Sequence, residues 1–235
     1  MLAVFKREMH AYFTGVIGYV FLVIFLAVGG GVFCFSTLYS MKGDAATWST
    51  VMLFMCAIIL PILTMKSFSE ERKTKTEQLF MTAPVSLPAV VMGKFLASYV
   101  MFAGALIFNS LYFLILIPYT QFKLAIFLGQ VIALLLVGML FITIGLFVSA
   151  LTENQLSAAI GSIAIIVALL AINLVSGLVP QEYLVRYIFD GLSVFSRFSG
   201  FSAGYFDVAS LFYFISLSAV FLYLTWRVYD RRRVG

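Results

Sequence analysis

The sequence contains few residue patterns that could carry out chemistry. Gly93 and Lys94 match the end of a phosphate-binding P-loop, but that loop needs an earlier glycine at the position where this chain has Pro88. His10 is the only histidine, so a two-histidine zinc motif is impossible and Ser/His/Asp catalysis would have only His10 available. We therefore expect no catalytic residue and no bound cofactor in this chain.

The two cysteines, Cys34 and Cys56, both fall inside apolar runs, one near the end of its run and the other near the middle of the next. They are expected to lie at different depths, which disfavours a disulfide bond, and a metal site needs more ligands than these two. We therefore interpret both as small buried apolar residues and predict no metal site.

The densest group of polar residues lies between Lys66 and Pro84, in the stretch KSFSEERKTKTEQLFMTAP. Ser67 followed by Glu70 fits a helix capping box, and Pro84 fits a helix stop. Two interpretations stay open on these residues alone. The stretch is either a solvated loop or a short helix that is presented to a soluble partner.

This polar stretch sits in a chain that is otherwise apolar. Of the 235 residues 63% are hydrophobic and 11% are charged, and the mean hydropathy is +1.09. Soluble domains are about 45–50% apolar and about 25% charged. Six continuous runs reach the roughly 20 residues that a helix needs to cross a bilayer. We predict an all-α polytopic membrane protein, a single domain over residues 1–235, with spans at about 16–39, 47–65, 95–117, 124–151, 156–179 and 208–226.

The basic residues predict the orientation of the spans. With both termini in the cytoplasm, eleven of the 15 Lys and Arg residues lie inside, and four lie outside: Lys42, Lys123, Arg186 and Arg197. This excess follows the positive-inside rule. Because the charges sit in short connections, the net charge of +5 does not predict nucleic-acid binding. Trp226 and Tyr229 are expected to anchor the last span at the inner headgroups.

The N-terminal residues 2–13 predict a short amphipathic helix on the inner membrane surface. Leu2, Phe5, Met9 and Phe13 recur at helical spacing, whereas the charged residues lie on other sides. The residues predicted to form this interfacial helix are Phe5, Lys6, Arg7 and Met9.

On the outer side, residues 181–203 predict a helix with a charged stripe. It is interpreted either as a plain surface helix or as a re-entrant cap over an outer opening. The candidate gate residues are Glu182, Arg186, Asp190, Phe195 and Arg197. Inside the spans we find polar residues but no central charge of the kind that ion relays use. Asn109, Gln130 and Asn173 are predicted to hydrogen-bond between helices, with a substrate contact as the alternative.

The stretch FSEERKTKTEQLFMTAPVSLPAVVMGKFLA, which begins at Phe68, resembles the loop after the second span in type-2 ABC transporter permeases. There a Glu-Arg pair, a Thr-Glu-x-Leu core, a Thr-x-Pro stop and a Gly-Lys start of the next span recur in order. Here these are Glu71–Arg72, Thr76–Leu79, Thr82–Pro84 and Gly93–Lys94. Lys75 stands where many members have Gly. The N-terminal FKREMHAYFTGVIGYV and the stretch SVFSRFSGFSAGYFDVASLFYF are similar to the gliding-motility-associated branch, so the resemblance covers nearly the whole chain.

The resemblance implies a six-helix permease that works in a pair with a second, identical or different, permease subunit. A separate ABC ATP-binding subunit would hold ATP and Mg²⁺, and this chain would have no ATPase site of its own. The implied coupling residues are Phe68, Glu70, Glu71, Arg72, Lys73, Thr76, Glu77, Leu79 and Phe80. Phe68, Leu79 and Phe80 are expected to supply apolar contacts with that subunit.

The implied function is the membrane-spanning subunit of an ATP-driven exporter in the inner membrane of a bacterium. The alternative is a mechanical transmitter, which passes ATPase-driven motion to an extracytoplasmic auxiliary protein without transport. The two functions differ in whether the purified complex moves a solute or a lipid across vesicles. The spans, which are rich in Phe and poor in charge, suggest a hydrophobic or lipid-linked substrate, and lipid-facing phenylalanines are the alternative explanation of this composition.

Overall fold

A computed structural model describes residues 1–39, 45–76, 86–116, 123–178, 191–202, 204 and 207–234 of the chain. Every regular element in these ranges is a helix, and six of the helices are long and apolar enough to cross a membrane. The predicted all-α fold with six transmembrane helices is therefore confirmed.

The helices are numbered in chain order: α1 (Leu2–Thr14), α2 (Val16–Phe33), α3 (Ala46–Thr64), α4 (Lys66–Lys73), α5 (Leu87–Ser110), α6 (Leu124–Leu151), α7 (Gln155–Leu178), α8 (Val194–Ser202) and α9 (Val208–Val234). A π-helical turn, Cys34–Leu38, continues α2, and a 3-10 helix, Leu111–Leu116, continues α5. The side of the bundle with α1, α4 and the end of α9 is called the terminal face. The side with α8 is called the far face.

Two predicted boundaries at the terminal face are wrong. The third span, α5, begins at Leu87 and not near Phe95, because the backbone of Ser86 is extended and Pro88 occupies the first turn, where its fixed φ suits a helix start. Ser67 does not cap a new helix, because Met65 has helical dihedral angles and joins α3 to α4 in one helix, Ala46–Lys73. The charged segment that begins at Lys66 is therefore the end of a spanning helix.

The central helix of the bundle is α6, whose bounds are those predicted from the sequence. In its most apolar stretch 72% of the residues are buried, against 28% in α2, 28% in α7 and 22% in α9. A helix that is apolar on all sides is typical of such an interior position. The helices α9 and α3 make the most extensive contacts with α6, whereas α2, α7 and α9 also leave wide apolar faces uncovered.

A glycine allows the closest contact between α6 and α3. A Cβ atom at Gly145 would lie 2.1 Å from the hydroxyl oxygen of Thr64, so only glycine permits this approach. Without a hydrophobic driving force inside lipid, helices associate through such close packing and through interhelical hydrogen bonds. The α3–α4 helix is therefore held tightly against α6 near its terminal-face end.

The polar residues predicted inside the spans lie at three different places. Asn109 is fully buried in α5, and its Nδ2 donates a hydrogen bond of 3.1 Å to the carbonyl of Phe25 in α2, which is the kind of contact that the packing interpretation predicts. Gln130 is buried in α6. Asn173 lies half-buried in α7, beside an apolar groove toward the far face.

Candidate functional site

The helix α4 lies where the resemblance predicts the coupling segment. Its first turn is buried, with Phe68 at 1% exposure, whereas Lys73 and the following residues 74–76 are exposed. The turn after α4 places Lys75 at φ +59°, in the left-handed region that favours glycine. Glycine, which the resemblance implies at this position in related permeases, would adopt this backbone conformation without strain.

The first turn of α4 is hydrogen-bonded to the central helix. The hydroxyl of Ser149 in α6 accepts from the backbone N–H groups of Phe68 and Ser69, both at 3.1 Å, and donates to the carbonyl of Met65 at 3.0 Å. One side chain of α6 therefore bridges three backbone groups around the point where α3 passes into α4.

The exposed side of α4 is tied to the end of α6 by Arg72. Its guanidinium donates to the carbonyl of Leu151 at 2.8 Å and pairs with the carboxylate of Glu153 at 2.8 Å. Because the Glu153 side chain is 64% exposed, water and salt screen this ion pair. The hydrogen bond to the carbonyl carries no such dependence on a second charge.

An ionic cluster around the buried Lys94 joins α4 to α1 and α5. The ammonium of Lys94 in α5 lies 3.0 Å from Oε1 of Glu8 in α1 and 3.0 Å from Oε1 of Glu71 in α4. Arg7 of α1 completes the cluster, with Nη2 at 2.8 Å from Glu8 and 2.6 Å from Glu71. The Lys94 side chain is 1% exposed and the two carboxylates are 13% and 14% exposed. We call Arg7, Glu8, Glu71 and Lys94 the ionic cluster.

The charges of the ionic cluster balance one another. A buried charge is costly unless it is paired, and here two cations face two carboxylates. Burial opposes the charge on Arg7, but hydrogen bonds and charge attraction with Glu8 and Glu71 outweigh this effect and raise the pKa of its guanidinium. Within the described residues, no group of three or more His, Cys, Asp or Glu side chains could hold a metal ion.

One side of α1 is shaped to lie against α5. Val4, Glu8 and Tyr12 follow one another at a spacing of four residues, so they lie on one face of the helix. A Cβ at Gly93 would lie 3.0 Å from the Val4 side chain, so glycine permits the close approach of α1. At the other end of this face, the hydroxyls of Tyr12 and Ser98 are hydrogen-bonded at 2.8 Å, and burial raises the pKa of Tyr12.

The other side of α1 fits the prediction of an amphipathic helix. The structure forms this helix over Leu2–Thr14, and Lys6 and Arg7 are exposed while Phe5 and Met9 are half-buried. Arg7, however, is part of the ionic cluster as well as of the predicted membrane surface. The helix therefore has a third, interior side that its apolar pattern did not reveal.

Two aromatic residues at the terminal face lie deeper than predicted. The ring of Phe68 lies 5.0 Å from the ammonium of Lys94 and 4.8 Å from the ring of Tyr229 in α9. The predicted apolar contact of Phe68 with a partner needs an exposed ring, so the structure contradicts that part of the coupling assignment. Tyr229 is 6% exposed, so it packs inside the protein and does not anchor α9 in the headgroups. Next to it, Arg232 donates to the carbonyl of Ala150 at 2.8 Å.

A cavity of about 420 Å³ opens between α1 and the α3–α4 helix, beside the ionic cluster. Its charged lining residues are Arg7, Glu8, Lys66, Glu70, Glu71 and Lys94. Lys66 and Glu70 pair at 3.7 Å on the exposed side of α4. Since the lining charges balance, the cavity does not select an anion or a cation by net charge.

Some predicted site residues lie outside the described part of the chain. These are Glu77, Leu79 and Phe80 of the coupling segment and Glu182, Arg186 and Asp190 of the far-face segment. Of the other coupling residues, Glu71 belongs to the ionic cluster and Arg72 contacts α6. Lys73 and Thr76 remain at the surface, where a partner can reach them.

The described gate residues, Phe195 and Arg197, belong to α8 at the far face. Arg197 donates through Nε and Nη2 to the carbonyl of Gly191, at 3.0 and 2.9 Å, and its guanidinium lies 4.5 Å from the centre of the Tyr213 ring. The Tyr213 hydroxyl in turn donates to the carbonyl of Leu192 at 2.7 Å. Phe195 faces Phe54 of α3, with ring centres 6.2 Å apart.

The expectation of no catalytic residue included the absence of a G-x-S-x-G pattern, and this was wrong, because the chain contains GFSAG at residues 200–204. In hydrolases this pattern forms a turn between a strand and a helix. Here residues 194–202 form α8, and no strand precedes them in the described ranges. The only histidine, His10, lies in α1 on the terminal face. The pattern therefore does not form a nucleophile elbow.

Sequence analysis missed the roles of Glu8, Ser149 and Lys94. Neither Glu8 nor Ser149 was singled out, and Lys94 was assigned to a cytoplasmic connection. The available signal was the Gly93–Lys94 pair together with Pro88, because a proline in a first turn places the following residues inside the helix.

These features agree with the comparison of the whole chain with known families. A profile described as "ABC-2 family transporter protein" matches residues 2–233. The chain belongs to the ABC-2 transporter family. As an ABC-2 transporter protein it is a membrane subunit of an ABC transporter, which implies an ATP-binding partner subunit. None of the curated proteins compared with the chain matches it.

Proposed function

We propose that this ABC-2 transporter protein couples ATP hydrolysis on its partner subunit to the outward movement of a substrate across an inner membrane. The terminal face lies in the cytoplasm, in accord with the eleven basic residues that the positive-inside rule assigns to it. The chain works with a second permease subunit, and hydrolysis takes place on the ATP-binding subunit and not on this chain.

The observation that carries the proposal is the position of α4 at the end of a spanning helix. Residues Ala46–Lys73 form one helix of 28 residues, about 42 Å long at 1.5 Å per residue, whereas the hydrocarbon core is about 30 Å thick. The α4 end therefore projects beyond the core. A subunit that docks there can tilt a whole span without an intervening hinge loop.

The docking surface in this proposal is the exposed end of α4 with residues 73–76. Lys73 and Thr76 are exposed there, whereas Phe68 is used inside the protein. Charged and polar groups at such a rim favour encounter and register with a partner. Residues Glu77, Leu79 and Phe80 follow directly in the sequence and extend this surface in the proposal.

An apolar groove favours transport over the mechanical transmitter. The groove has a volume of about 300 Å³ and lies between α3 and α7, with α8 at one end. Phe54, Ile58 and Leu174 line it, with Asn173 as a polar group. A groove of this composition suits a substrate with an apolar part, such as a lipid-linked molecule.

The docking surface can be tested with a photo-cross-linker, p-benzoylphenylalanine, placed at Thr76. We expect it to cross-link an ATP-hydrolysing subunit in native membranes, identified by mass spectrometry and by ATP turnover of the recovered complex. The matched control is the same cross-linker at Ser199, which is exposed on the far face. Cross-links to the ATPase from Ser199 and not from Thr76 would place the partner on the wrong side and contradict the proposal.

Transport itself is tested with the purified complex in lipid vesicles. We expect ATP-dependent movement of a lipid-linked or hydrophobic solute across the vesicle membrane. ATP hydrolysis that depends on this chain but moves no solute or lipid would favour the mechanical transmitter.

A further inference from the structure

Lys94 lies where α1, α4 and α5 meet, and its ammonium group is fully used there. A lysine ammonium has three N–H donors. Three acceptors surround it: Glu8 at 3.0 Å, Glu71 at 3.0 Å and the carbonyl of Ser67 at 2.5 Å. The Phe68 ring covers it at 5.0 Å, and the side chain is 1% exposed. Two of its acceptors and the ring belong to α4.

The contacts of Lys94 connect the moving part of the proposed mechanism to two other helices. Glu71 and Ser67 belong to α4, Glu8 belongs to α1, and Lys94 itself belongs to α5. Buried, charged hydrogen bonds are short and directional, so they hold a defined geometry. Contacts between apolar side chains, in contrast, allow helices to slide by small distances.

The neighbouring residues bring the helices together so that Lys94 can make these contacts. Gly93 permits the close approach of Val4. Tyr12 and Ser98, which follow Glu8 and Lys94 by one helical turn, are hydrogen-bonded to each other. Arg7 adds a direct ion pair between α1 and α4. The contacts therefore form a continuous set on one side of α1, with Lys94 in the middle.

We propose that Lys94 is a positioning residue that makes α1, α4 and the first turns of α5 one rigid unit, so that a push on α4 moves all three helices together. The inference rests on the proposed function, because it assumes that an ATP-binding subunit pushes on α4. It goes beyond that function by assigning the transmission of this push to one buried lysine.

The direct test is a distance measurement on the complex with its ATP-binding subunit in vesicles. Spin labels are placed on a cysteine-free chain at Lys6 in α1 and at Glu70 in α4, which both lie outside the proposed docking surface. Lys6 is exposed, and the Glu70 side chain is 47% exposed. We expect the distance between these labels to change by less than about 2 Å between the nucleotide-free and the vanadate-trapped states. A reference pair, Glu70 with Ser199 on the far face, is expected to change by more than this.

The second arm removes the lysine while keeping the charges balanced. In the double variant K94M/E71Q, Arg7 and Glu8 still pair with each other. We expect the ATPase subunit to be recovered as before, whereas stimulation of its turnover by the permease falls by about fivefold or more. The distance between α1 and α4 should now depend on nucleotide. The single variant K94R should keep part of the stimulation of ATP turnover that K94M/E71Q loses, because it keeps the positive charge.

Lys66 supplies the matched control, since it is a lysine beside the same cavity but is 44% exposed. Among the described residues, its ion-pair partner is Glu70. We expect K66M to keep wild-type stimulation and a fixed distance between α1 and α4. Equal losses in K66M and K94M/E71Q would overturn the assignment, because a general effect of surface charge would then explain both.

The outcomes separate this inference from the proposed function. If the reference pair moves with nucleotide and the labels on α1 and α4 move apart as well in the wild type, the rigid unit is wrong while the proposed function stands. If no ATPase subunit is recovered and no distance depends on nucleotide, both are wrong. Should K94M/E71Q fail to fold, the wild-type distances decide the question.

Discussion

The short helices α4, at the terminal face, and α8, at the far face, are fixed in different ways. α4 is held by hydrogen bonds and ion pairs from α1, α5 and α6. α8 is held mainly by apolar contacts, with Val194, Phe198 and Phe201 at 0%, 1% and 1% exposure. Arg197 adds one polar clamp, but its acceptor, Gly191, lies only six residues away in the chain.

This difference indicates different mechanical properties. Directional contacts to three separate helices define the position of α4, so a displacement of α4 is passed on to its neighbours. Apolar packing depends on contact area and only weakly on direction, so α8 can shift over the bundle at a small cost. The terminal face is suited to transmit a movement, and the far face is suited to accommodate one.

The largest effect is expected from a substitution that removes apolar contacts of α8. Phe198→Ala removes a ring that is 1% exposed, and substitutions of this kind cost about 3–5 kcal/mol in protein cores. We expect amide hydrogen exchange in α8 to accelerate by about a hundredfold, while exchange in α4 stays unchanged. Phe195→Ala is the matched control, with a smaller effect because Phe195 is only half-buried. Equal acceleration in α4 would show that the two helices are not independent.

A smaller effect is expected at the polar bridge between α4 and α6. Ser149→Ala removes the hydroxyl that contacts three backbone groups around Met65, and the loss of such buried hydrogen bonds costs about 1–3 kcal/mol. We expect a lower unfolding temperature in detergent and faster exchange in α4 but not in α8. Ser199→Ala is the control, because the Ser199 hydroxyl is exposed and bonds only within its own helix. An unchanged unfolding temperature would mean that polar contacts do not fix α4.

The smallest effect is expected at the turn that ends α4, where a substitution should stabilise the protein. Lys75 has a φ of +59°, a conformation that costs an L-residue about 1–2 kcal/mol and that glycine adopts freely. Part of this gain is offset by the greater freedom of glycine in the unfolded chain. We therefore expect Lys75→Gly to stabilise the protein by about 0.5–1 kcal/mol in thermal unfolding.

Lys73→Gly provides the comparison, because Lys73 lies inside the last turn of α4, where glycine costs about 1 kcal/mol. If Lys73→Gly destabilises the protein and Lys75→Gly stabilises it in thermal unfolding, α4 ends between these two residues. Destabilisation by both substitutions would contradict the left-handed conformation of Lys75.

Sequence analysis predicted the six spans because long apolar runs follow directly from the thickness of the bilayer. The bounds of α6 agree with the structure, and α1 was predicted from its apolar spacing. The start of α5 was missed because Lys94 was taken as the end of a loop. A lysine in a span is identified correctly only when its partners are known, and Glu8 lies 86 residues away in the sequence.

The inward position of Phe68 was missed for the same reason, because it depends on residues that are distant in the sequence. A phenylalanine in a charged segment looks like an exposed contact residue, and its burial depends on Tyr229 and Lys94, which belong to distant helices. The charge density of the segment predicted a distinct element, and the structure has the helix α4 there. Local patterns can therefore mark a segment, whereas the side chains that hold it in place depend on contacts between helices.

The unbroken helix from α3 into α4 has a geometric consequence when it is treated as a rod that pivots where Thr64 touches Gly145. At 1.5 Å per residue, the arm from Thr64 to Lys73 is about 13 Å long and the arm from Ala46 to Thr64 is about 27 Å long. The tip of the longer arm therefore moves about twice as far as the tip of the shorter arm. A displacement of about 2 Å at Lys73 therefore moves the opposite tip near Ala46 by about 4 Å, a distance comparable to the width of an alkyl chain.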